Sequence, residues 1–337
     1  MTPITFTNAI ERTAQRRRHL LLGNGFSISA WSDFRYDALQ GKIVGESDRI
    51  DALFDSFQTA DFERVARALR EAQRVLEVHE GAEALIKIIE NDHHDLRRLL
   101  VSAIAGTHPA APSELGDLFD CCASFLGHFV GKARGKALLG NVFSTNYDLL
   151  LYWALMRGKD VLEANDGFLG GRPLTWAPGR EQRIFYLHGA LHLFEAEGVT
   201  QKLAVPDRLI DAIGGRIEKQ DVPLFISEGS SHEKRVRIEE SRYLKAASDC
   251  LGEACDDPEA SLFIFGHSLR AEDAHIFERI PDGRVSEVFI SVRDVDRSEA
   301  KAEIRKAAEL WVAKRAERGG PPLEVFSYNP AEAAPWG

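Results

Sequence analysis

Residues 141–148, Asn-Val-Phe-Ser-Thr-Asn-Tyr-Asp, hold two hydroxyls, one amide and one carboxylate at Ser144, Thr145, Asn146 and Asp148. Such groups exchange hydrogen bonds with ribose hydroxyls and with a carboxamide, so the set suits a nucleoside carrying an amide-bearing base. The competing use is an Asx-type helix cap, in which Asn146 or Asp148 accepts backbone N–H groups. A second cluster is Gly23-Asn24-Gly25-Phe26-Ser27, which follows the apolar run 20–22. A glycine turn behind a buried strand lets backbone N–H groups approach a phosphate, because no Cβ stands in the way; an ordinary tight turn is the alternative. The third glycine of the dinucleotide fingerprint is missing, Ile28 following Ser27, and no second strand ends in an acid about 20 residues on, so a dehydrogenase-type site is disfavoured.

His188-Gly189 follows the apolar run 183–187. A histidine at a strand end suits a general base, since it titrates near neutrality, and the glycine leaves room for substrate. His192, four residues on, lacks the glutamate of the H-E-x-x-H motif and is assigned no metal. A fourth cluster, Gly266-His267-Ser268, follows the apolar stretch 261–265.

The elements that position these clusters are legible from periodicity. The pair Val142 and Phe143 reads as a strand and residues 149–156 as a helix, so the polar cluster sits on a strand-to-helix corner. Residues 20–22, 183–187, 223–227, 261–265, 288–292 and 323–327 read as further strands, with helices over 235–250 and 301–315 and a helix beginning at Glu272 and Asp273. Between the first and second strands, residues 50–135 carry a helical pattern through Phe54, Phe57, Phe62, Val65 and Leu69 and on to Leu99 and Leu100. His108-Pro109 breaks it, and Ser113 is expected to cap the next helix. Asp61 and Glu63 read as exposed helix carboxylates that could reach a site. The expected fold is α/β, a doubly wound, Rossmann-like parallel sheet with a helical insertion over 50–135, the four clusters converging on one sheet edge.

Composition narrows the function. The chain of 337 residues is 44% apolar and carries a net charge of -10, which argues against broad nucleic-acid binding. The basic knot Arg16, Arg17 and Arg18 reads as a solvated helix end. No run approaches the roughly 20 apolar residues that cross a bilayer, and no signal-type segment opens the chain, so a cytoplasmic, membrane-free protein is expected. The four cysteines, Cys121, Cys122, Cys250 and Cys255, form no C-x-x-C pair; they are expected to be core thiols rather than disulfides or a zinc site. His93, His94 and Asp95 read as a helix end without chemistry.

Taken in order, Gly23 to Ser27, Asp33-Phe34-Arg35, residues 144–148, His188-Gly189 and residues 266–269 follow the succession of the sirtuin motifs. Over about residues 20–326 the chain resembles the divergent bacterial sirtuin-like proteins related to antiphage NAD hydrolases, in a branch labelled as a domain of unknown function. The resemblance implies a single NAD-binding domain over 1–337, in which Asn146 and His188 form the catalytic pair and Asp148 meets the nicotinamide carboxamide. Gly23, Asn24, Gly25, Phe26, Ser27 and Ser144 would hold phosphate and ribose, with Gly266, His267 and Ser268 near the adenosine half. The two C-x-x-C pairs of sirtuin deacylases are missing, and the hinge before Asp33 is one residue shorter than in sirtuins. The expected activity is therefore hydrolysis of the bond between nicotinamide and ribose, in antiphage defence by NAD depletion, with NAD as substrate and no zinc. A protein deacylase or ADP-ribosyltransferase is the alternative within enzymes, and an NAD or ADP-ribose sensor the alternative outside them. Because the motifs fill the chain, gating by a homo-oligomer or an operon-encoded activating protein is expected.

Overall fold

The computed structural model describes residues 1–179, 181–205, 208–217, 219, 221–226, 229–293 and 299–337, without the side chains of 299 and 300. Six strands build the core of the central sheet: β2 (Arg17–Leu22), β3 (Val142–Ser144), β6 (Ile184–Tyr186), β9 (Ala260–Phe265), β10 (Glu287–Ser291) and β11 (Glu324–Tyr328), with a two-residue edge strand β1 (Thr2–Pro3). All pair in parallel, in the order β1-β11-β10-β9-β2-β3-β6. After β1 at the edge, the chain enters the centre in β2, winds outward through β3 and β6, then crosses to β9 on the other side of β2 and winds outward again. That reversal between β2 and β9 is the topological switch point of a doubly wound sheet, where ligands of such folds bind.

A parallel sheet needs both faces covered, and β3, β6, β9 and β10 are buried at every position, as is β2 after Arg17. Leu20 and Leu22 of β2 join Phe263 and Phe265 in one core beneath the helices Phe6–Arg12, Leu118–Val130 and Leu150–Arg157. Leu21 joins Phe143, Leu262 and Ile264 in the other, against Arg242–Cys255 and Glu299–Glu317. Alternate residues of one strand therefore feed two separate cores. The insertion contributes Asp48–Phe57, Phe62–Leu76 and Glu83–Thr107 before Leu118–Val130. The last of these is the crossover helix packed on the sheet through Phe125 and Phe129.

Several sequence expectations need correction. The basic knot is no solvated helix end: Arg17 opens β2, and Arg18 is buried, donating to the carbonyls of Ile10, Thr13 and His128. Arg16 likewise ties the carbonyls of Pro258 and Ala260 to the N-terminal end of the sheet. Ser113 lies in the 3-10 turn Pro112–Leu115, which a left-handed Gly116 (φ 48°) ends, so the helix starts only at Leu118. Residues 223–226 form no strand; Phe225 makes a single bridge to Gly189, and Ser227 lies outside the described residues. The helix expected over 235–250 is two helices, Ser231–Glu240 and Arg242–Cys255, because Ser241 turns the chain and its hydroxyl caps Leu244. A second, antiparallel sheet of β4 (Phe168–Leu169), β5 (Leu174–Trp176), β8 (Val199–Lys202) and β7 (Leu193–Ala196) was not foreseen. Among the described residues no helix is long and apolar enough to cross a membrane. The cysteines are unpaired; Cys122 and Cys255 are buried, whereas Cys121 and Cys250 are half-exposed.

Candidate active site

The four motif clusters leave the carboxyl ends of β9, β2, β3 and β6, four consecutive strands of the sheet. They open on a cavity of about 1130 Å³ lined by Asn24, Gly25, Phe34, Arg35, Thr145, Asn146, Asp148, His188, Gly266, His267 and Ser268. Small-molecule sites run to roughly 1,000 Å³, so this volume holds a dinucleotide-sized ligand.

The polar cluster after β3 is organised around one buried hydroxyl. Ser27 Oγ donates to Asp148 Oδ2 at 2.5 Å and accepts from Asn146 Nδ2 at 2.8 Å. The same amide also donates to the carbonyl of Gly23 at 3.1 Å, and the Asn146 N–H donates to Ser144 Oγ at 3.1 Å. With both of its donors directed backward, Asn146 has a buried Oδ1 without a partner among the described residues. Buried acceptors are normally satisfied, and this one belongs to a residue of the cavity wall. Asp148 also accepts from the Leu150 N–H at 2.9 Å, so the helix-cap use and the site position coincide in one carboxylate. Burial raises its pKa, opposed by the hydrogen bonds from Ser27 and Leu150.

The glycines serve a purpose other than the one expected. A Cβ on Gly25 would lie 2.6 Å from the Gly266 Cα, and one on Gly23 2.7 Å from the Gly266 carbonyl oxygen. Their missing side chains admit the neighbouring turn, itself left-handed at Gly266 (φ 70°), rather than a phosphate. The N–H groups of Gly23, Gly25 and Phe26 already donate to the carbonyls of Phe265, Gly266 and Gly23. Gly189 is similar: left-handed at φ 80°, it yields its space to the Leu224 carbonyl, not to a ligand.

The remaining expected residues divide. Phe26 and Ser27 are fully buried behind the cavity wall, Phe26 packing on Trp336, and Ser144 is buried with them. Phe34 is buried edge-on to His108 and its carbonyl accepts from Asn24 Nδ2, which fixes it in the wall. Asp33 is exposed and outside the wall, and Arg35 is exposed beside Asp37. Thr145 Oγ1 donates to the Leu22 carbonyl, Ser268 is exposed, and His267 is buried with Nδ1 accepting from the Leu269 N–H. His192 is buried between Tyr152 and Tyr186.

His188 stands at the end of β6, and its pKa is driven well below the ordinary value by burial, only partly countered by Asp273. Behind it lies a charged group that sequence reading missed. Lys234, fully buried, donates to Asp273 Oδ1 at 2.9 Å and Glu63 Oε2 at 3.2 Å. Burial raises Asp273, but Lys234 and the neighbouring histidines outweigh it and hold the carboxyl well below the usual range. Glu63, whose burial outweighs the same lysine, is pushed up to about 7. Glu63 and Phe62 bring the insertion helix Phe62–Leu76 into the cavity wall, so Glu63 is no free surface carboxylate. Asp61 caps that helix and pairs with Arg270 at 2.9 Å. The signal for Asp273 was present: an Asp-x-His pair soon after the fourth strand-end glycine. The wall formed by residues 329–331 and 334–337 carries no such motif.

Residues 20–336 match the family described as Domain of unknown function (DUF4917). The chain belongs to that family. No curated protein matches it. Every motif cluster falls within the matched region, as does the whole cavity wall except Gly337.

Proposed function

We propose that this chain is an NAD hydrolase, cleaving the bond between nicotinamide and C1′ of the ribose. The observation that carries the reading is the unpaired, buried Oδ1 of Asn146, on the wall of a dinucleotide-sized cavity that His188 also lines at the switch point. The ordered likeness to the sirtuin motifs supplies the choice of NAD. Cleavage passes through an oxocarbenium-like state, so the protein must hold the ribose, receive the departing base and direct a water. Asn146 Oδ1 accepts a hydrogen bond from a ribose hydroxyl or the water. His188, neutral because it is buried, takes the proton released as water adds to C1′. Asp148 faces the carboxamide of nicotinamide, and Ser27 keeps both Asp148 and Asn146 in place.

Nicotinamide release measured by chromatography tests the assignment. Asn146→Ala is expected to abolish it while thermal melting stays cooperative; full activity in the folded variant would remove Asn146 from the mechanism. In a cell such an enzyme must be restrained, and assembly or a second protein provides the gate in this reading, with NAD depletion on infection as the outcome. Specific activity that stays constant and full over a wide dilution of monomeric protein would refute gating by self-assembly.

A further inference from the structure

His188 is held from behind by a second histidine. Its Nε2 lies 3.0 Å from the Nε2 of His275, with the two rings inclined by only 25°. His275 belongs to the helix Ala274–Phe277 and is itself fixed, its N–H donating to Ser231 Oγ at 2.7 Å and its Nδ1 lying 3.4 Å from the same oxygen. Burial depresses both imidazoles, His275 to about 4, so both are neutral near pH 7. Two neutral rings meet through their Nε2 atoms only if one carries the proton and the other does not. If Nδ1–H of His275 is directed at Ser231, its Nε2 is the acceptor, His188 donates through Nε2–H, and Nδ1 of His188 is left basic.

We propose that His275 is a positioning residue for His188, fixing the tautomer in which Nδ1 is the base, and that Asp273 stabilises the imidazolium formed there. This rests on the hydrolase reading above. Water loses a proton to Nδ1 while its oxygen bonds to C1′; the bond from C1′ to nicotinamide breaks, its electron pair leaving on the ring nitrogen, and His188 returns the proton to solvent. Asp273 Oδ1 lies 4.0 Å from His188 Nε2, and its other oxygen 3.7 Å from His267 Nε2. The charged and titratable groups facing His188 are Asp273, Lys234, His275 and His267, with Glu63 on the far side of Lys234. The division of labour is that of a catalytic triad, in which the third group orients the base and favours its charged form. The ligand atoms of His188, Asp273 and His275 also lie within 4.8 Å of one another, a spacing open to a metal ion. Lys234 argues against one, because the Asp273 oxygen nearest His188 already faces an ammonium at 2.9 Å.

The test uses the full chain with His275→Gln, which retains a carbonyl acceptor, with His275→Leu, which has none, and with Asp273→Asn. Expected for His275→Leu is a loss of roughly a hundredfold or more in kcat with KM for NAD changed less than about twofold, largely restored in His275→Gln. Asp273→Asn should move the acid limb of the pH profile to lower pH, because the imidazolium loses its anion. Nitrogen-15 spectra of histidine-labelled wild type should show His188 protonated on Nε2, a result readable whether or not NAD is cleaved. Equal activity of the Leu and Gln variants, an unmoved acid limb, or His188 protonated on Nδ1 would overturn the proposal. So would stoichiometric zinc uptake by the wild type that is lost in His275→Leu. Failure of the wild type to cleave NAD, with the Nε2 tautomer present, would instead count against the hydrolase reading alone.

Discussion

Replacing Ser27 by alanine removes the one hydroxyl that joins Asp148 to Asn146. Ser27 is fully buried, so no water takes its place without a new cavity. One lost bond is to a carboxylate, worth about 1.5–3 kcal/mol, and the other to a neutral amide, worth about 0.5–1.5 kcal/mol. The amide keeps the Gly23 carbonyl as partner, so its share lies at the low end and the total is about 2–3.5 kcal/mol. At roughly 2 °C per kcal/mol for a chain larger than 150 residues, Tm should fall by about 4–7 °C. The loss should depend on pH with a definite sign. Burial already raises the Asp148 carboxyl, and the Ser27 hydroxyl opposes that rise; its removal raises the folded value further. A carboxyl raised on folding binds protons in the native state that the unfolded chain has released, so stability falls as pH rises from the unfolded value, about 3.9, through the folded one. In the variant this window reaches further up, and the deficit relative to wild type should therefore grow from acid toward neutral pH and then level off. Urea unfolding of both proteins at several pH values measures it. A deficit below about 0.5 kcal/mol, the lower bound for one such bond, or one independent of pH would refute the proposed coupling of Asp148 to Ser27.

Gly25→Ala should cost about 1–3 kcal/mol by overpacking, because its Cβ would meet the Gly266 backbone at 2.6 Å, and should weaken NAD binding with it; an unchanged melting temperature would show that the two turns are not in contact. Lys234→Met leaves Glu63 and Asp273 facing each other without a cation and should cost about 3–5 kcal/mol at neutral pH. Part of that loss should return below the Glu63 value of about 7, where this carboxyl is protonated, and denaturation at pH 5 and pH 8 distinguishes this from a loss that ignores pH.

The parallel sheet was readable because both of its faces are buried: continuous runs such as 261–265 have no other use in a chain of this composition, and four of them ended in a glycine or polar cluster. The small sheet escaped because β4 and β5 are two and three residues long, too short for a period to show. Ser241 hid a helix break inside an uninterrupted helical pattern, since a capping serine and an interior serine look alike until the chain turns. At the site, Asn146, Asp148 and His188 were legible as polar residues at strand ends. Lys234 was not, and Glu63 was read as an exposed carboxylate that could reach a site, because each sits in a charged helical stretch that reads as a solvated face, and only tertiary packing shows that the two meet over Asp273. The glycines were found for a reason the structure replaces: they make room for one another's backbone.

The most direct test of the central claim is to incubate the purified full-length chain with NAD, with and without an acetylated lysine peptide, and to separate the products. Hydrolysis predicts nicotinamide and ADP-ribose, or a cyclised isomer, in equal amounts without peptide, and neither in the Asn146→Ala protein. Nicotinamide that appears only with the peptide, accompanied by acetyl-ADP-ribose, would contradict the hydrolase account and make the chain an acyl transferase.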